Sequence, residues 1–180
     1  MTPSDPFARL SASAQRRIAT VALLATLALT AALASFDAHL RTDAAPKGIV
    51  SFELAGSMDA AQKILNSWDA SARTYAGLSL GLDFAYPLAY ATVLAYLCAW
   101  AARRGAGVWR TLGLWLCWGQ WIAALADMVE NVGLIKLLVG APSGAWPELA
   151  ASCATAKFAL IGAGALYSLG GAFVRARSRP

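Results

Sequence analysis

Asp127, Glu130 and Asn131 stand within one helical turn of each other in the run DMVEN. Asp83, with Tyr86 and Tyr90 following at helical spacing, and Lys157 lie in two other apolar runs. Ionisable groups inside such runs are expensive, at about 2.5–3.5 kcal/mol each on insertion scales, and they normally face protein or water. Three kinds of chemistry suit them. A carboxylate held away from water serves as a general acid or base. An acid-rich pocket binds or passes a cation, a proton, or a small polar or lipid ligand. Oxygen ligands also hold divalent cations, but the DxxEN spacing is weakly specific, and neither a metal site nor a cofactor is assigned from it.

Other chemistry has no residues to carry it. The chain has no GxSxG, P-loop, HExxH or GxGxxG motif in the required context. The single histidine, His39, leaves a histidine-based metal site without ligands. Cys98, Cys117 and Cys153 all sit in apolar runs without a CxxC pair, so they read as small hydrophobes rather than a disulfide framework.

The elements that must position the acids are helices in lipid. Apolar residues make up 58% of the chain and charged ones 14%, against about 45–50% and about 25% in soluble domains. Four apolar runs, at 18–36, 76–100, 111–140 and 146–173, are each long enough to cross a hydrocarbon core of about 30 Å. The expected fold is an all-α membrane protein: a four-transmembrane-helix bundle forming one domain over 18–173, with tails at 1–17 and 174–180. The first run also resembles a signal peptide, with Ala32-Leu33-Ala34 as a cleavage site, but its length favours a retained helix.

The net charge of +5 is distributed as topological information. Arg9, Arg16 and Arg17, then Arg103, Arg104 and Arg110, then Arg175, Arg177 and Arg179 mark the N-terminal tail, the second connection and the C-terminal tail. The positive-inside rule places both termini in the cytoplasm. No basic helix face appears, so no nucleic-acid partner is expected; the partner is the lipid bilayer. Trp100 and Trp109 inside, with Trp68 and Trp146 outside, read as aromatic belts.

Residues 37–75 form the long extracytoplasmic segment. Ser57 suits the N-cap of a helix running to Trp68. Met58, Ala61, Ile64, Leu65 and Trp68 give it an apolar stripe opposite Asp59, Gln62, Lys63 and Asn66. This outer amphipathic helix is expected on the membrane surface or capping the bundle. The preceding GIVSFELAGS is too short to span, and Glu53 in it is expected at the interface beside the pocket.

At about 100° per residue, Gln120, Asp127 and Asn131 share one face of the third helix, with Glu130 to one side and Trp115, Trp118 and Trp121 opposite. Ser79, Asp83, Tyr86 and Tyr90 share a face of the second, and Pro87 deprives the Asp83 carbonyl of its partner there and predicts a kink. On the fourth, Lys157 lies in line with Cys153, Gly164, Ser168 and Gly171, small residues that permit close helix approach. Counted from the outer helix ends at 1.5 Å per residue, Asp83, Glu130, Lys157 and Asp127 lie about 11, 15, 16 and 20 Å deep. They fall in one layer of the outer half, and the first helix contributes little to it. Three acids facing one lysine require a proton or a cation for balance, unless the whole is a hydrogen-bonded knot that sets helix register.

The segments FELAG (52–56), LDFAY (82–86), WGQW (118–121) and DMVEN (127–131) together resemble a group of short bacterial integral membrane proteins of no assigned activity, over about residues 48–170. The resemblance implies a four-helix protein of the bacterial inner membrane and carries over no catalytic residues. The pattern differs from small multidrug exporters, whose embedded glutamate lies on the first helix; here that helix has no acid.

Three functions follow as expectations. The first is a binding or transport protein whose pocket comprises Asp83, Tyr86, Tyr90, Gln120, Asp127, Glu130, Asn131 and Lys157, joined by Glu53; four helices are few for transport, which would imply a homo-oligomer. The second is a lipid-modifying enzyme with Asp127 or Glu130 as general acid/base, which needs a lipid-sized opening at the depth of the acids. The third is a structural subunit or assembly factor that docks through its tryptophan face.

Overall fold

The computed structural model describes residues 3–140 and 144–173. The 174–180 tail with its three arginines, and most of the connection around 141–145, lie outside the described residues. Every regular element described is a helix: α1 (Ala12–Asp37), α2 (Ile49–Glu53), α3 (Met58–Ser67), α4 (Ala70–Leu82), α5 (Tyr86–Ala102), α6 (Gly107–Leu138) and α7 (Ala145–Phe173).

By length and apolarity, α1 and α7 qualify as membrane spans, and α4 with α5 qualifies jointly as a third. The pair is bent by 45° at the break. The span expected over 76–100 therefore begins earlier, at Ala70, and the kink expected at Pro87 is a full interruption after Leu82. Proline explains the interruption. Pro87 falls in the first turn of α5, where a missing N–H leaves no helix bond unmade. Asp83 becomes the C-cap residue of α4, so its side chain sits at a helix junction rather than on a continuous face.

α5 is central, packed against α1, α6 and α7, while α6 and α7 form the most extensive pair. Small residues make this possible. Ala91, Ala95, Ala99, Ala101 and Ala102 of α5 are fully buried, and a Cβ on Gly171 of α7 would collide with Ala101. α1 packs chiefly on α4 and α5 and buries none of its residues.

One end of the bundle is closed by the chain between α1 and α4. Ser57 caps α3 by accepting from the Ala60 N–H at 3.2 Å, and the apolar stripe of α3 packs inward through Ala61, Ile64 and Leu65. Trp68, expected in the outer belt, is instead buried at 3% exposure. Its Nε1 donates to the Leu40 carbonyl at 2.8 Å and its ring meets Phe52 edge-on, so the cap claims it before the interface does. α3 thus covers the bundle and holds α2 against it.

At the opposite end, residues 3–10 are not a free tail. Phe7 is buried beside Tyr96, Asp5 pairs with Arg103 at 2.8 Å, and the Trp118 Nε1 donates to the Ser4 carbonyl.

Candidate functional site

Lys157, midway along α7, is 4% exposed and gathers the acids around its ammonium. Its Nζ donates to Asp127 Oδ1 at 2.8 Å and to Glu130 Oε1 at 2.9 Å, both on α6. Glu53 Oε2 of α2 lies 3.5 Å from the same nitrogen without making a hydrogen bond. The other side of Asp127 is also committed, since Tyr90 Oη of α5 donates to Oδ2 at 3.0 Å. Asp127 is therefore clamped between a tyrosine and a lysine on two neighbouring helices.

A second pair lies alongside. Asn131 Nδ2 donates to Asp83 Oδ2 at 2.9 Å, tying the α4–α5 junction to α6. Asp83 is half-buried, and its Oδ1 accepts no hydrogen bond among the described residues. Tyr86 Oη accepts from Thr30 Oγ1 of α1 at 3.1 Å, which leaves its own hydrogen uncommitted. The Tyr86 and Tyr90 rings meet edge-on at 5.3 Å.

Some buried oxygens accept no hydrogen bond. Glu130 Oε2, Glu53 Oε2 and Asn131 Oδ1 are orphaned inside the protein. Most buried polar atoms find a partner, so each exception marks a site left incomplete.

These groups form one side of a cavity of about 460 Å³. Glu53, Asp83, Tyr86, Tyr90, Asp127 and Lys157 line it, and so do Leu33 of α1, Val50 of α2, Leu80 of α4, Val93 and Leu94 of α5, and Ile161 of α7. The volume lies within the range of about 300–1,000 Å³ usual for small-molecule sites. The cavity is partly open, and α1, which lines it through Thr26 and Leu33, packs chiefly on α4 and α5.

Of the residues expected in the pocket, Glu130 and Asn131 stand behind it, buried and supporting Lys157 and Asp83 rather than lining the cavity. Gln120 is not part of the cluster. It shares the face of Asp127 but lies seven residues, about 10 Å, further in. There its Nε2 donates to the carbonyls of Leu116 and Leu160, knitting α6 to α7. Angular position on a helix says nothing about depth, and depth separates them.

Two contributions exceed expectation. Glu53 is a full member of the cluster, delivered by the short helix α2 folding onto the bundle. α1, expected to contribute little, supplies Thr30 to Tyr86 and a cavity wall through Thr26 and Leu33. An acid in a run too short to span was the signal for Glu53; a threonine in an apolar run offered none for Thr30.

Three carboxylates and one ammonium line the cavity, so it suits a group that donates hydrogen bonds or carries positive charge. Among the described residues no set of histidines, cysteines and carboxylates is arranged to hold a metal ion. Compared with protein families, curated proteins and solved structures, the chain matches none.

Proposed function

We propose that this chain is a four-span protein of the bacterial inner membrane, with both termini cytoplasmic, that binds an amphipathic ligand from the outer leaflet. The observation that carries the reading is the cavity: largely aliphatic walls, a partly open side, and a cluster of acids with one lysine. The reading places the entrance between α1 and α7, which line the cavity without packing extensively on each other. Aliphatic walls suit a hydrocarbon tail, and the polar side suits a head group. A hydrated ion would find half of this lining useless.

α6 is the fourth span in this reading. It buries Gln120, Asp127, Glu130 and Asn131 while Trp115, Ile122 and Leu125 are about 60% exposed (58%, 59% and 63%). In water that arrangement is inverted. In lipid it is the favourable one, with polar groups facing protein and apolar ones facing acyl chains.

Native mass spectrometry on protein taken gently from membranes tests the reading. Wild-type protein is expected to retain an amphiphile, and Thr26→Trp, which fills the cavity from α1 without disturbing a buried residue, is expected to lose it. Equal ligand content in both would overturn it.

A second reading is a lipid-modifying enzyme. It is favoured by Asp83, which faces the cavity with one oxygen uncommitted and so is better placed as a general base than Asp127, whose two oxygens are engaged, or Glu130, which does not line the cavity. Turnover of a lipid that Asp83→Asn abolishes, without loss of binding, would select it.

A further inference from the structure

We infer that the head group of the ligand is a cationic amine, held between Asp83 and Glu53. This rests on the pocket reading above and adds the chemistry of what the pocket takes. Lys157 already satisfies Asp127, and Tyr90 completes that carboxylate. The negative charge left over on the cavity surface therefore belongs to Asp83 and Glu53. Asp83 reaches the cavity from the α4–α5 junction and has one amide donor on one oxygen. Glu53 reaches it from α2, is 6% exposed, and has only a share of the Lys157 ammonium, which already donates to Asp127 and Glu130: its Oε2 lies 3.5 Å from Nζ and accepts no hydrogen bond.

A carboxylate buried to that degree beside a cavity, with an oxygen that accepts no hydrogen bond, has given up water that one shared ammonium replaces only in part. An ammonium supplies what both acids lack, because it brings positive charge and several N–H donors in one group. A hydroxyl brings one donor and no charge. A carboxylate or phosphate head would add negative charge beside an existing surplus. The uncommitted hydrogen of Tyr86 leaves room for one acceptor on the ligand as well, such as a hydroxyl or ester oxygen near the amine.

The experiment uses chain-matched dodecylamine, dodecanol and dodecanoic acid with the full-length protein in nanodiscs of uncharged lipid, read by native mass spectrometry. The inference expects dodecylamine occupancy at least about tenfold above that of dodecanol. It expects Asp83→Asn and, separately, Glu53→Gln to reduce that preference while dodecanol still binds. Retained dodecanol binding shows the variant is folded; if Asp83→Asn does not fold, Glu53→Gln decides. Equal binding of amine and alcohol, preference for the acid, or an unchanged preference in both variants overturns the head-group assignment. The pocket reading survives that result if Thr26→Trp still abolishes binding of all three. Binding no greater in the wild type than in Thr26→Trp overturns both.

Discussion

Asp127 Oδ1 accepts from Lys157 Nζ at 2.8 Å across the α6–α7 contact, and neither side chain is more than 5% exposed. The pair is the point at which α2, α5, α6 and α7 are joined, since Glu53, Tyr90 and Glu130 all converge on it.

Removing one partner of this centre should cost more than removing a surface pair. Lys157→Met leaves three carboxylates facing one another, and breaking a buried pair from one side typically costs about 3–5 kcal/mol. Denaturant unfolding in detergent should register a loss of that order, and Arg41→Met at the exposed Asp37 pair should change it by less than about 1 kcal/mol.

The two tyrosines should behave differently. Tyr90→Phe removes the donor to a charged Asp127 and should destabilise by about 1.5–3 kcal/mol. Tyr86→Phe loses only the acceptor for Thr30 near the open side of the cavity, so it should affect stability little and ligand retention more. Thermal unfolding and bound-ligand content, measured together, separate the two roles.

Close packing of α5 and α7 predicts a contrast between glycines on the same helix. Gly171→Ala drives a methyl into the Cβ and Cα of Ala101 and should cost about 1–3 kcal/mol, the usual range for overpacking. Gly162→Ala, with open space around its position, should be neutral or slightly stabilising. Unfolding midpoints in one detergent decide it.

Sidedness tests the span count. Four spans put both termini in the cytoplasm, whereas three would put them on opposite sides. Reporter fusions or cysteine labelling at each end should give the cytoplasmic result twice; a C-terminus labelled from outside would remove α6 from the membrane.

Much of this arrangement was legible in the sequence because periodicity encodes faces. The polar stripe of α6 and its tryptophan side, the apolar stripe and Ser57 cap of α3, and the in-line placement of Lys157 with small residues follow from spacing at 3.6 residues per turn. What was not legible depends on contacts between distant segments. Glu53 joins the cluster only because α2 folds down onto α7, and Thr30 matters only because α1 leans on α5 beside Tyr86. Gln120 was misplaced because a shared face was taken without its depth. The break before Pro87 was signalled, but its consequence, Asp83 at a junction facing a cavity, required the third dimension.

The account depends most on a tail-sized cavity reached from lipid between α1 and α7. A membrane-dissolved amphiphile with a diazirine in its tail, photolysed in proteoliposomes and mapped by peptide mass spectrometry, tests this directly. Labelling should concentrate on the cavity lining, at Leu33, Val93 and Ile161, and should fall in Thr26→Trp. Labelling spread evenly over the lipid-facing side of α6, at Trp115, Ile122 and Leu125, with no enrichment in the cavity and no response to Thr26→Trp, would contradict it.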